Sequence, residues 1–401
     1  MGETIMQEVV IVSAVRTPIG KIGGALRDIQ ADDLARDVIA ESIRRANVEA
    51  GCIDEVIFGQ TKQSAEAANL ARVAALKAGV PIEVPAYTVM RQCASALQAV
   101  NNAAQAIMCG LADIVVAGGT ESMSNAVYYL RSARYGYKAG NGVLCDSNIE
   151  SQARSQPIEV YGQLTMGLTA ENLAAKYAIS REEQDLFALG SQQKAAAAIK
   201  AGRFAEEILP VAIPKKKGEK LIFDTDEFPR PTTLEGLATL PPAFLKGGTV
   251  TAGNATGRND GAASLVVMSA KEAQRRNLKP LAVLRSQAAV GVPPEIMGIG
   301  PAYATTKALK LAGLTLGDIG LIEMNEAFAA QCLAVIKELD MNTDILNVNG
   351  GAIALGHPLG CTGARILTTL VYEMRRRKVK YGLATLCIGG GQGVANVVEL
   401  V

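Results

Sequence analysis

The sequence predicts an α/β fold made of a duplicated unit, with an irregular segment inserted into the first copy. Three observations carry this. Short β-branched runs alternate with alanine-rich stretches whose apolar residues recur at helical spacing. A phrase of cysteine, small residues, helix, strand and glycines occurs twice, from Cys93 to Gly119 and again from Cys361 to Gly391. From about 122 to 248 the text turns polar and uneven, with Tyr128, Tyr129, Tyr135, Tyr137 and a proline-rich piece after Pro229.

Taken in order, strands are expected over 9–13, 55–59, 114–117, 262–268, 321–325 and 383–388. Helices are expected over 31–46, 68–78, 94–109, 181–201, 302–312 and 363–376. Ser180 followed by Glu183 reads as a capping box. Gly79, Gly110, Gly202 and Gly313 stand where helix C-caps need a residue free to turn left-handed. These elements divide the chain into a first half over 1–121, completed by 249–270, an inserted domain over 122–248, and a second half over 271–401. Lys215, Lys216 and Lys217 in the insertion read as a solvated loop, or as steering for an anionic cofactor.

Counting excludes much. At 401 residues and 49% hydrophobic content the chain has material for a large core. Lys+Arg 40 against Asp+Glu 39 leaves +1, so no net field draws in nucleic acid or an anionic membrane. No apolar run approaches the roughly 18 residues of a membrane span. His357 is the only histidine, which removes multi-histidine zinc sites, and no metal is expected. Seven cysteines without a C-x-x-C pair indicate reduced thiols in a cytoplasmic setting. The fingerprints of dinucleotide, nucleotide-phosphate and serine-hydrolase sites are missing too.

Three segments carry chemistry. Cys93, in Met90-Arg91-Gln92-Cys93-Ala94-Ser95-Ala96, stands at a helix start, where unpaired N–H groups favour a thiolate; a buried structural cysteine is the plain alternative. His357 lies in a glycine-rich loop running through Gly350, Gly351 and Gly356 to Gly360, which lets backbone approach a ligand; a satisfied core histidine is the alternative. Cys387 ends a strand and enters Gly389-Gly390-Gly391, whose amides suit a developing oxyanion. Asn325 in Met324-Asn325-Glu326-Ala327-Phe328 reads either as a polar group at a strand end or as a helix N-cap.

With these motifs in hand, the chain resembles the thiolases over essentially its whole length, from Arg16-Thr17-Pro18-Ile19-Gly20 to Cys387-Ile388-Gly389-Gly390-Gly391. The resemblance implies two βαβαβαββ halves in a layered α-β-α-β-α core, with a coenzyme A-binding loop domain inserted in the first. It implies that Cys93 carries the acyl group, that His357 deprotonates it, and that Asn325 completes one oxyanion hole through a water. Cys387 would move the α-proton, and the amides of Cys93 and Gly389 would form the second hole. For coenzyme A it implies Arg230 near the nucleotide end and Phe244, Ala252 and Thr256 beside the pantetheine arm, with Met166, Met297, Ala327 and Phe328 lining the acyl end.

The implied reaction is the reversible conversion of two acetyl-CoA to acetoacetyl-CoA and CoA. CoA and its thioesters act as substrates, and no cofactor is held permanently. Alternatives are a 3-ketoacyl-CoA thiolase of fatty-acid breakdown and a non-catalytic CoA-binding relative. A homo-oligomer, dimer or tetramer, is implied as well. The chain departs from the usual pattern at Met90, Ala94, Ala96, Thr165, Thr256 and Thr362. The two extra alanine methyls either narrow the acyl pocket or tighten helix packing.

Overall fold

The computed structural model describes residues 6–215 and 219–401. Residues 1–5 of the expected first half, and Lys216 and Lys217 of the lysine run, lie outside the described residues; Lys215 is exposed.

The principal strands of the central sheet are β1 (Val9–Arg16), β2 (Glu55–Gly59), β3 (Ala86–Val89), β4 (Ile114–Ser122), β5 (Asn259–Ser269), β6 (Ala282–Gly291), β7 (Leu321–Met324), β8 (Tyr381–Ile388) and β9 (Gln392–Leu400). The long helices are α1 (Ala31–Ala46), α2 (Leu70–Lys77), α3 (Ser95–Met108), α4 (Met166–Lys176), α5 (Arg181–Lys200), α6 (Gly300–Ala312), α7 (Ala329–Leu339) and α8 (Thr362–Arg377). All six expected strands and all six expected helices form, most with ends shifted by one to three residues. The Ser180–Glu183 capping box is present, and the four C-cap glycines all have positive φ.

Strand order shows the duplication directly. The first half runs β1-β5-β4-β2-β3 and the second runs β6-β9-β8-β7. In each half the first two pairings are antiparallel and the next is parallel. A lone parallel bridge from Ile322 to Leu346 stands where the second half would place its counterpart of β3. The halves are not separate sheets: β1 pairs with β6 through Val10–Val283 and Ile11–Ala282, so one hydrogen-bonded surface runs through both.

Side-chain alternation explains the layering. Ile11, Val115, Leu265 and Val267 of the first half face Leu284, Leu386, Val394 and Val398 of the second across α3 and α8. The opposite face of the first half packs on α1 and α2, and that of the second on α6 and α7. The result is helix, sheet, helix, sheet, helix. Each fully buried Leu in the middle layer, such as Leu97 or Leu367, contributes about 1.5–3 kcal/mol relative to exposure. α3 and α8 approach so closely that a Cβ on Gly363 would lie 2.5 Å from the Leu97 nitrogen. Ala94 and Ala96 are fully buried in this layer, so the extra methyls tighten helix packing.

The segment between β4 and β5 carries α4, α5 and two short hairpins. Arg16, fully buried at the end of β1, ties it down: Nε reaches Glu207 at 2.6 Å and Nη1 reaches Asp226 at 2.7 Å.

Candidate active site

The turn before α3 presents the nucleophile candidate. Gln92 has φ +45, a left-handed conformation that costs a non-glycine residue about 1–3 kcal/mol unless its surroundings hold it. Here they do. Ser95 Oγ donates to Gln92 O at 2.6 Å and accepts from Arg91 N–H at 2.9 Å, and Thr61 Oγ1 donates to Gln92 O at 3.2 Å. The turn leaves Cys93 half-buried, two residues before the first residue of α3.

The second half supplies the other groups. Thr362 Oγ1, at the start of α8, donates to Pro358 O at 2.8 Å, so it accepts from the Nδ1–H of His357 at 2.6 Å. That assigns the tautomer from the hydrogen-bond network and leaves Nε2 with its lone pair, 3.4 Å from Asn325 Nδ2. Asn259 Oδ1 accepts from the backbone N–H of His357 at 2.9 Å. Burial first, and the Arg365 cation second, push the imidazole pKa down to about 3, so His357 is a neutral base. Arg365 itself is buried 3.6 Å from Glu323, and among the described residues neither side chain has a hydrogen-bond partner.

Asn325 extends β7 through a 3.0 Å bond to Thr385 O. It is not a helix N-cap, because α7 begins at Ala329 with Phe328 in that position. Its Oδ1 is buried with no hydrogen-bond partner among the described residues. The neighbouring Glu326 is consumed structurally, accepting from Ser191 Oγ, Asn347 Nδ2 and Ile353 N–H. Those bonds hold the loop that carries His357.

Cys387 closes β8, buried, its thiol pushed well above the ordinary range by burial first and by the Cys93 sulfur second. The backbone N–H groups of Gly389 and of Cys93 itself act to lower the Cys93 thiol pKa. A Cβ on Gly389 would lie 3.1 Å from Ser155 Oγ and 3.2 Å from Met166 Sδ, so a side chain there would push into the site. The expected lowering of the Cys93 pKa is outweighed. Burial raises it more than these N–H groups and Lys62 lower it, so Cys93 rests as a thiol and needs a base.

A cavity of about 210 Å³ collects most of the expected residues: Cys93, His357, Cys387 and Gly389, with Met166, Phe244, Thr256, Met297, Ala327 and Phe328 on its walls. Phe244 and Phe328 meet edge to face, centroids 5.9 Å apart. Asn325 stands behind His357. Arg230 and Ala252 lie outside the cavity, joined by a 3.2 Å bond from Arg230 Nη2 to Ala252 O. Thr165 caps α4 by accepting from Leu168 N–H, and Thr256 Oγ1 donates to Ala352 O at 2.9 Å.

Sequence reasoning missed the supports. Glu121 accepts from Thr61, Lys62 and Gly360 N–H groups, tying the two halves' loops together. Asn259 was legible only as one polar residue among many in 251–261. Lys62 and Arg258 on the cavity wall carried no signal at all.

Chemistry of this kind, with a thiol, a neutral base and a second thiol on one cavity wall beside a glycine-rich loop, is that of an acyltransferase working through cysteine. The family model "Thiolase, N-terminal domain" matches residues 9–271, and "Thiolase, C-terminal domain" matches residues 278–400. The chain belongs to the thiolase family. It is 53% identical to an acetyl-CoA acetyltransferase of Chromobacterium violaceum, over 98% of this chain and 99% of that one. Among solved structures, the Bacillus anthracis acetyl-CoA acetyltransferase superposes with TM-score 0.96 at 47% identity, covering 100% of both chains. Human mitochondrial 3-ketoacyl-CoA thiolase in complex with CoA superposes with TM-score 0.93 at 45% identity, covering 99% of both.

Proposed function

We propose that this thiolase is an acetyl-CoA acetyltransferase, converting two acetyl-CoA to acetoacetyl-CoA and CoA, and the reverse. The observation that carries the reading is the convergence of Cys93, His357, Cys387 and Gly389 on one cavity.

In the synthetic direction His357 Nε2 takes the Cys93 proton as the sulfur attacks the acetyl-CoA carbonyl. The N–H groups of Cys93 and Gly389 hold the oxyanion, and the leaving CoA sulfur takes its proton from Cys387, which leaves Cys387 a thiolate and His357 protonated at Nε2. A second acetyl-CoA then loses an α-proton to Cys387. Its enolate oxygen accepts from the Nε2–H of the protonated His357 and from a water on Asn325, whose Oδ1, unpartnered among the described residues, suits such a water. Attack of the enolate carbon on the acetyl-Cys93 carbonyl forms the new carbon–carbon bond and releases the Cys93 sulfur, which takes its proton back from His357. A thiol as acid/base at an α-carbon needs a thiolate, so the high Cys387 pKa makes deprotonation a step to be driven by the bound substrate.

We place coenzyme A with its pantetheine arm along Phe244, Ala252 and Thr256, its nucleotide end near Arg230, and the acyl group against Met166, Met297, Ala327 and Phe328. The insertion over 122–248 is then the CoA-binding domain carried within the first thiolase half. Among the described residues no helix is long and apolar enough to cross a membrane. A cytoplasmic homo-oligomer, dimer or tetramer, serving fatty-acid and lipid metabolism is the setting this reading gives.

Two measurements test it. Acetyl-CoA should add one acetyl group to Cys93, read by mass spectrometry. The chain should cleave acetoacetyl-CoA in preference to long-chain 3-ketoacyl-CoA. Strong long-chain cleavage with negligible acetoacetyl-CoA turnover would make it a degradative 3-ketoacyl-CoA thiolase, and no acetyl adduct would make it a non-catalytic binder.

A further inference from the structure

The cavity wall around Cys93 holds two cations that the mechanism above does not use. Lys62 and Arg258 both line it. Lys62 Nζ donates to Ser147 O at 3.1 Å and to Ser151 Oγ, which spends two of its three hydrogens on the short helix Ser147–Ala153 and fixes the ammonium in place. Arg258 is half-buried, and among the described residues no hydrogen bond or ion pair engages its guanidinium. Each cation lies within electrostatic reach of the other, and Lys62 within reach of Cys93.

Nearby carboxylates do not cancel this charge at contact distance. Glu121 is committed to three backbone N–H groups, and Asp146 caps the Ser147–Ala153 helix through Asn148 N–H. Like charges sharing a partly desolvated wall are costly unless an anion sits between them. The acyl end of acetyl-CoA is uncharged and offers none. The phosphates of coenzyme A, in the reading above, lie toward Arg230, outside this cavity.

On the thiolase reading, we infer that this site also takes 3-oxoacyl thioesters whose acyl chain ends in a carboxylate, held by Lys62 and Arg258. Cleavage then runs as follows. The Cys93 sulfur adds to the C3 ketone as its proton passes to His357 Nε2, the C2–C3 bond breaks, and its electron pair leaves as the enolate of acetyl-CoA, which takes a proton from Cys387 and leaves it a thiolate. The ω-carboxyacyl group stays on Cys93 as a thioester. A CoA thiol gives its proton to the Cys387 thiolate, attacks that thioester and carries the group away as ω-carboxyacyl-CoA, while the released Cys93 sulfur takes its proton back from His357. Two oxygens of the carboxylate can accept from the guanidinium fork while one meets the remaining Lys62 hydrogen.

The test uses three thioesters: 3-oxoadipyl-CoA, its uncharged counterpart 3-oxohexanoyl-CoA, and acetoacetyl-CoA. The protein should cleave 3-oxoadipyl-CoA with at least tenfold higher kcat/KM than 3-oxohexanoyl-CoA. Lys62→Met and Arg258→Met should each cut that ratio tenfold or more, chiefly through KM, and Lys62→Arg should retain most of it. Acetylation of Cys93 by acetyl-CoA checks that each variant is folded. A preference for 3-oxohexanoyl-CoA, or a ratio unmoved by either substitution, overturns the inference. So does an equal loss on all three thioesters in Lys62→Met, which would assign Lys62 to the Cys93 thiol alone. Absence of acetoacetyl-CoA turnover in the unaltered protein would instead overturn the acetyl-CoA acetyltransferase reading on which the inference rests.

Discussion

The hydroxyl of Thr362 stands 2.6 Å from Nδ1 of His357 and 2.8 Å from the carbonyl of Pro358, so one hydroxyl proton decides which imidazole nitrogen is basic. Because that proton goes to Pro358 O, Nδ1 must carry the ring hydrogen and Nε2 the lone pair. The first residue of α8 thereby sets the chemistry of the loop in front of it.

Thr362→Val removes the acceptor and leaves Nδ1–H buried without a partner, at a cost of about 1–3 kcal/mol in the working tautomer. Acetoacetyl-CoA cleavage should fall roughly tenfold to a hundredfold in kcat/KM. Thr362→Ser, which keeps the hydroxyl, should stay near the starting activity. Equal rates for the valine and serine variants would remove the hydroxyl from the mechanism.

His357 should remain neutral far into acid. With its pKa at about 3 against an ordinary 6.5, the imidazole signal of this single-histidine protein should not titrate between pH 5 and 8 by NMR. The sign for stability follows. The unfolded chain binds a proton below about 6.5 that the folded one refuses, so stability is full above 6.5 and declines as pH falls toward 3. The slope approaches about 1.4 kcal/mol per pH unit from this group. His357→Gln should flatten the acid limb of a denaturation series by that amount.

Cys387→Ala should separate the half-reactions. The Cys93 acetyl adduct should still form from acetyl-CoA, while exchange of the acetyl α-proton with deuterated solvent drops by at least about a hundredfold. Normal exchange in this variant would assign the proton transfer elsewhere.

Gly363→Ala probes the middle layer without touching the cavity. Its Cβ would lie 2.5 Å from the Leu97 nitrogen, so α3 and α8 must part, costing about 1–3 kcal/mol. A lowered thermal midpoint with an intact acetyl adduct is the expected pair of results.

Much of this was legible from spacing and composition. The repeated phrase at Cys93 and Cys361 is the α3-β4 and α8-β8 pair, and the C-cap glycines adopt the left-handed turns expected of them. Strands β6 and β9 were not legible. Arg285, Ser286 and Gln287 interrupt the apolar text of the first, and Gln392 and Gly393 open the second in glycine-rich surroundings. Their strand form is set by antiparallel pairing with each other. Helix α7 hid behind Asn325-Glu326-Ala327-Phe328, which looked like its own start. At the site, the reactive groups stood out because each sits in an unusual setting. Their supports did not, because Glu121, Asn259 and Lys62 act through partners dozens of residues away or more, which no local pattern records.

The seam where Val10 and Ile11 pair with Val283 and Ala282 has a consequence for the site. The first copy holds the nucleophile, while the second holds Asn325, His357 and Cys387. Either copy alone would offer a nucleophile with no base, or a base with no nucleophile. The repeat is therefore symmetric in its strands and asymmetric in its chemistry, and the seam is what makes one working site out of two incomplete ones.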